Sequence, residues 1–179
     1  MSERRVAFVR HGQTDWNSLR RIQGLTDVPL NATGRQQAAV LGLQLAGDGW
    51  AMVLSSPLAR ARGTASLLAA AAGLASPVLS PALIERSYGA AEGLPVEEAN
   101  TRWPDGDYPG SEPLGALAER GTAAVTALLA GHPGDLIVVS HGALLRATIS
   151  ALTGQPWPRI LNGTATVLGS RAVPGIRLL

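Results

Sequence analysis

Val6-Ala7-Phe8-Val9 is an unbroken apolar run that stops at Arg10, and Leu136-Ile137-Val138-Val139 is a second that stops at Ser140. Short β-branched runs closed by polar residues and glycine predict buried strands. Ala51-Met52-Val53-Leu54 predicts another strand. Extended pieces between Pro77 and Glu85 end in Ala82-Leu83-Ile84-Glu85, and a closing strand pair is expected at Ala165-Leu168 and Ile176-Leu178. Helical patterns fill the intervals. Thr33 with Gln36 three residues on predicts a capping box for a helix running to about Gly47. Pro57 sits just inside the expected start of an alanine-rich helix that ends near Gly73. Two more helices are expected from roughly Ser111 to Ala130 and from Ala143 to Leu152, the last opened by Gly142.

Two stretches break this rhythm. Residues 11–32 are a long polar loop, a length that is unusual in a compact domain unless it has a function. Residues 86–110 are rich in glycine and proline and predict a short cap-like excursion over one edge. The alternation of strands and helices predicts an α/β fold: a three-layer α/β/α sandwich around a mostly parallel sheet. No repeat or linker divides residues 1–179, which read as one domain.

Composition narrows the function classes. The 179 residues include no cysteine, which excludes disulfides, thiolate chemistry and cysteine-bound metals. No apolar run approaches the roughly 18 residues of a membrane span. Only four apolar residues follow Met1-Ser2-Glu3-Arg4-Arg5, fewer than the roughly 7–15 of a secretory signal. The expected location is the cytoplasm, with no membrane partner. All fifteen basic residues are arginine, against a net charge of only +2. They are scattered and aromatic residues are few, so no stacking surface for nucleic acid is expected.

In an open parallel sheet, ligands bind beyond the carboxyl ends of the strands. There the chain sets Arg10 and His11, Ser55-Ser56-Pro57 followed by Arg60 and Arg62, then Glu85, then His141. Gly12 and Gly142 let the backbone turn and approach a ligand closely, and Gly142 adds a helix start with free N–H groups. Histidine, arginine and a helix N-terminus describe a site for a tetrahedral dianion. A neutral imidazole can attack phosphorus and leave again, arginines stabilise the charge on the transferred oxygens, and a carboxyl such as Glu85 can exchange the proton. Glu92, seven residues on, is the alternative acid. No short paired-ligand spacing suggests a metal. His132, in Gly131-His132-Pro133-Gly134, reads as a solvated turn residue, and Arg62, Arg86 and Arg146 fit surface charges as well as site residues.

Arg10-His11-Gly12-Gln13-Thr14-Asp15-Trp16-Asn17 resembles the signature of the histidine phosphatase superfamily, the phosphoglycerate mutase-like proteins. Gln23-Gly24, Asp27-Val28-Pro29-Leu30 and Thr33 to Ala38 are similar to that family's first loop and helix. Ser55 to Ala65 is similar to its second motif and Ser140-His141-Gly142 to its last. The resemblance implies that His11 is the phosphorylated nucleophile, that Arg10 and Arg60 clamp the phosphoryl group, and that His141 is a further phosphoryl ligand. It also implies that Asn17, Gln23 and Gly24 line the substrate loop and that Glu85 donates the proton. No metal or organic cofactor is implied. Dimers are common in the resembled family, which leaves a homodimer as an open expectation.

Three branches of the family and one non-enzymatic reading compete. Glu85-Arg86-Ser87-Tyr88-Gly89 resembles the mutase pattern, in which an arginine and a tyrosine hold substrate, whereas Ala90-Ala91-Glu92-Gly93 resembles the phosphatase pattern. Mutases carry a longer excursion with adjacent arginines and a lysine. This chain offers only Arg102 there, and a short cap shields a phosphohistidine from water poorly. The expectation is therefore a phosphomonoesterase acting on a small phosphorylated metabolite through a phosphohistidine. The alternatives are a phosphoglycerate mutase-like phosphotransferase, a protein phosphohistidine phosphatase, and an inactive fold that serves as a binding module. Pro109-Gly110-Ser111-Glu112-Pro113 departs from the Gly-Gly-Glu-Ser order frequent in the phosphatases, which touches the substrate contacts expected of that loop.

Overall fold

Period-two alternation along the strands decides how the layers stack. A computed structural model describes residues 4–169 and 177–178. Its strands are β1 (Arg5–Arg10), β2 (Trp50–Ser55), β3 (Val78–Leu79), β4 (Asp135–Ser140), β5 (Ala165–Gly169) and β6 (Arg177–Leu178), in the sheet order β3-β2-β4-β1-β5-β6. The pairings from β3 through β2 and β4 to β1 are parallel, while β5 and β6 join antiparallel at one edge. Ile176 of the expected closing pair lies outside the described residues.

Ala7 and Val9 face one side of β1, with Ile137 and Val139 of β4, and pack on Leu41, Leu45, Ala65 and Leu68. Those four residues come from α2 (Ala32–Leu45) and α3 (Ala59–Ala72). Val6 and Phe8 face the other side, with Leu136 and Val138, and pack on Leu117, Val125, Leu144 and Ile149. These belong to α5 (Leu114–Gly131) and α6 (Gly142–Thr153). Two-sided burial explains why the strands read as continuous apolar runs. The result is the expected three-layer α/β/α sandwich. Among the described residues no helix is long and apolar enough to cross a membrane.

Several boundaries differ from expectation, each for a local reason. The cap of α2 is Asn31, not Thr33: its side chain accepts from Gly34 N at 2.9 Å. The capping box lies instead at Thr14 and Asn17, and it opens a single turn, α1 (Asp15–Ser18), inside the expected loop. Pro57 precedes α3 because Leu58 is the extended cap residue, while Asp27 accepts from Ala59 N at 2.7 Å. Only Val78 and Leu79 pair beside β2; Pro81–Leu83 form a 3-10 turn with proline at its start, so Glu85 follows a turn rather than a strand. Pro113 is the cap of α5, which starts three residues after Ser111.

The excursion is an ordered cap with its own small core. A 3-10 turn (Gly89–Ala91) and α4 (Val96–Arg102) bury Ala91, Ala99 and Tyr108 against Ile22. Backbone hydrogen bonds from Ile22 N to Leu94 O (3.0 Å) and from Val96 N to Arg20 O (2.8 Å) tie it to the first loop.

Candidate active site

Parallel register places the two histidines. Arg10 of β1 pairs with Ser140 of β4, so the next residues, His11 and His141, leave adjacent strands side by side. Their ring centroids lie 5.2 Å apart, close to the spacing of neighbouring strands. Both rings are almost fully buried.

His11 Nδ1 lies 2.7 Å from Gly12 O. A carbonyl can only accept, so Nδ1 carries the proton and Nε2 the lone pair. Burial holds the His11 pKa well below its ordinary value, and Arg60 and Arg10 add to the effect. His141 is lowered in the same direction, by burial first and then by Arg60 and His11. Both rings are thus neutral at neutral pH. His141 Nε2 lies 2.8 Å from Ser56 Oγ, which already accepts from Leu58 N at 3.3 Å. The Ser56 hydroxyl has no other acceptor among the described residues and donates to Nε2. That leaves His141 Nδ1–H as a buried donor without a partner.

Arg10 and Arg60 flank the pair. Arg10 Nη1 donates to Ile160 O at 2.7 Å. Arg60, at the start of α3, donates to Thr26 O (2.9 Å) and Gly24 O (2.7 Å). Each guanidinium keeps its Nε buried without a partner. Burial lowers both pKa values from the ordinary arginine value and the Glu85 charge opposes this; both groups remain charged. Three buried donors without partners at one place amount to a preformed anion site, because such groups are costly elsewhere. Arg62, two residues on, is exposed.

Arg10, His11, Asn17, Gln23, Gly24, Arg60, Glu85, Tyr88 and Gly142 line one cleft of ≈ 440 Å³, with His141 directly behind it. All ten residues singled out from the sequence therefore converge. Their local settings differ from expectation in two respects. Gly12 and Gly142 do not adopt positive φ; what they provide is close approach. A Cβ on Gly12 would lie 2.3 Å from Gly34 O, and one on Gly142 would lie 3.2 Å from the Arg10 guanidinium. The start of α6 is also not free: the Glu85 carboxylate accepts from Leu144 N (3.1 Å) and Ala143 N (3.3 Å) as well as from Arg86 N (2.8 Å). The Glu85 side chain completes this helix end by accepting from its amides.

Glu92 does not line the cleft. Its carboxylate accepts from Leu25 N, Thr26 N and Tyr88 N at 3.0–3.1 Å and from Thr26 Oγ1 at 2.8 Å. It thereby pins the loop whose carbonyls hold Arg60. Arg86 is buried against Tyr88 and Tyr108 and donates to Glu112 O at 2.7 Å and Ser111 Oγ at 3.2 Å. The departing Ser111-Glu112 order thus serves to hold Arg86 in place.

Sequence reasoning missed several supporting residues. Thr64 Oγ1 accepts from Gly12 N (2.9 Å) and donates to Arg60 O (2.7 Å), linking the loop after β1 to Arg60. Asn162 Nδ2 donates to His11 O (3.0 Å) and Asn17 Oδ1 (3.1 Å). Arg120 pairs with Glu112 at 2.8 Å and donates to Ala82 O and Ile84 O, fixing the backbone before Glu85. Thr64 lies inside the second motif, four residues after Arg60 on the same helix; no local motif marks Asn162 or Arg120.

Residues 6–168 match the sequence profile of the histidine phosphatase superfamily (branch 1). The chain is 38% identical over 151 residues to the "Uncharacterized phosphatase PhoE" of Bacillus subtilis, covering 83% of this chain and 77% of that protein. It is 37% identical over 163 residues to the "Probable phosphoglycerate mutase GpmB" of Escherichia fergusonii, covering 84% and 75%. The solved mycobacterial glucosyl-3-phosphoglycerate phosphatase complexed with VO3 superposes with a TM-score of 0.88 at 28% identity, covering 98% of each chain.

Proposed function

The chain belongs to the histidine phosphatase superfamily, and from that premise we propose that it hydrolyses a small phosphomonoester through a phosphohistidine on His11. The observation that carries this reading is a neutral, buried His11 with a free Nε2, set beside Arg10, Arg60 and His141, each of which keeps a buried nitrogen without a partner. In the first step, Nε2 attacks phosphorus and the P–O bond to the alcohol breaks. Glu85 gives its proton to the leaving oxygen. In the second, Glu85 recovers a proton from water as that water attacks phosphorus, and the P–N bond breaks to release phosphate and neutral His11. Arg10 Nε, Arg60 Nε and His141 Nδ1–H stabilise the equatorial oxygens throughout. Asn17, Gln23, Gly24, Tyr88 and Gly142 shape the substrate side. Tyr88 keeps its proton, since burial raises its pKa.

A phosphotransferase reading is favoured by the relatives named as probable mutases. Hydrolysis is supported by the cap, whose Arg102 pairs with Glu98 on an exposed face instead of lining the cleft. Rapid quenching with labelled p-nitrophenyl phosphate should trap an acid-labile, base-stable adduct that is absent in His11→Ala. A label that persists in the variant removes His11 as nucleophile. Phosphate release measured beside isomer formation from phosphoglycerate separates the two readings.

A further inference from the structure

The third helical residue of a capping box is commonly Glu or Gln, whose side-chain oxygen reaches back to the amide of the cap residue. In α1 that position holds Asn17, whose Oδ1 accepts from Thr14 N at 3.1 Å. The same oxygen accepts from Asn162 Nδ2 at 3.1 Å, across 145 positions of sequence. Backbone groups fix the orientation of both amides. A backbone N–H only donates, so the Asn17 atom beside Thr14 N is oxygen. A carbonyl only accepts, so the Asn162 atom 3.0 Å from His11 O is nitrogen. The two protons on Asn162 Nδ2 are thus committed to His11 O and Asn17 Oδ1. Asn17 Nδ2 is left with no acceptor among the described residues, on a side chain that lines the cleft with Arg10, His11 and Arg60. A Glu at this position would close the capping box equally well and offer no donor.

Asn162 is itself firmly placed. Arg10 Nη1 donates to Ile160 O at 2.7 Å, and Arg10 N to Thr164 O at 3.1 Å. Gly163 N donates to Arg10 O (3.1 Å) and His11 O (3.2 Å). Gly163 takes a φ of +67°, and a Cβ there would lie 2.6 Å from Gln37 Cβ, so glycine is what lets the chain pass this closely. Asn162 therefore reaches Asn17 from a backbone that the end of β1 holds on both sides.

Resting on the phosphomonoesterase reading above, we propose that Asn162 is a positioning residue: its amide locks Asn17 Oδ1 so that Asn17 Nδ2 donates to an oxygen of the phosphoryl group on its way to and from His11. Thr14 holds the Asn17 oxygen from within the same turn; the second donor, from another segment, fixes the plane of the amide.

The test is a double-mutant cycle on kcat/KM for p-nitrophenyl phosphate and on the inhibition constant of orthovanadate, which mimics the five-coordinate phosphoryl group. Asn17→Ala should lower kcat/KM about a hundredfold, the scale of one lost donor to the reacting group. Asn162→Ala should lower it roughly tenfold, the upper end for a single hydrogen bond, and should weaken vanadate to a similar degree. In Asn17→Ala/Asn162→Ala both readouts should stay near those of Asn17→Ala alone, since Asn162 then has nothing to position. Asn162→Asp, of the same size but unable to donate, should lose at least as much as Asn162→Ala. Losses that multiply in the double variant would place the effect of Asn162 on the His11 carbonyl and overturn the proposal. So would Asn162 variants with a lower urea midpoint and the kinetic constants of the parent, which mark a role in stability alone. In both cases turnover by the parent leaves the phosphatase reading intact. A parent inactive on p-nitrophenyl phosphate removes that reading, and the proposal with it.

Discussion

Two carboxylates seven residues apart illustrate how a side chain's surroundings set its role. Glu85 lines the cleft beside Arg10 and Arg60, whereas Glu92 is saturated by the amides and hydroxyl of the first loop. Glu85→Gln keeps an acceptor for the α6 amides and removes the transferable proton. It should slow alkyl phosphates by about 10²–10³, within the range of lost general acid catalysis, and slow p-nitrophenyl phosphate far less, because that leaving group needs little protonation. Equal losses on both substrates would take the proton transfer away from Glu85. Spacing alone did not choose between these two acids and only the family resemblance favoured Glu85, because the contacts that separate them come from segments more than 50 residues away in sequence. Arg60 and Arg62 present the same case, one buried in the site and one exposed.

Helices and loops hold the site through close backbone contact. The loop after β1 presses on the first turn of α2, where Gly12 and Gly34 meet without room for a Cβ on either. Gly12→Ala should cost about 1–3 kcal/mol, the usual range for overpacking, because the obstruction is backbone that cannot rotate aside. Urea unfolding would show this as a lower midpoint with an unchanged m-value; a midpoint equal to that of the parent would mean that α2 can shift without cost. Strands and long helices were legible because their apolar periodicity is local. The starts of α2 and α3 were not: Asn31 rather than Thr33 caps α2, and α3 begins after Leu58, beyond Pro57, where Asp27 of the first loop accepts from Ala59 N.

Across the molecule, burial of two neutral histidines links folding to pH. Both pKa values are lowered on folding, so the unfolded chain binds more protons once the pH falls below its histidine pKa near 6.5. Stability is then fully present above about pH 6.5 and is lost as the pH falls, by up to about 1.4 kcal/mol per pH unit for each histidine. Chemical denaturation at pH 7.5 and 5.5 should show this loss in the parent and a smaller one in His11→Gln/His141→Gln. The same slope in both proteins would assign the pH dependence to other groups.

The order of strands and helices, the layered α/β architecture and the family signature were written in local sequence, because periodicity and motif spacing act over a few residues. So was the segment proposed to carry the nucleophile, where Arg10, His11 and Gly12 are consecutive. The convergence of Glu85, Arg10 and Arg60 on one cleft arose only on folding. Parallel register sets His11 beside His141, and the chain after a 3-10 turn delivers Glu85 to the start of α6. Those relations depend on contacts between residues that are far apart along the chain, and no local pattern encodes them.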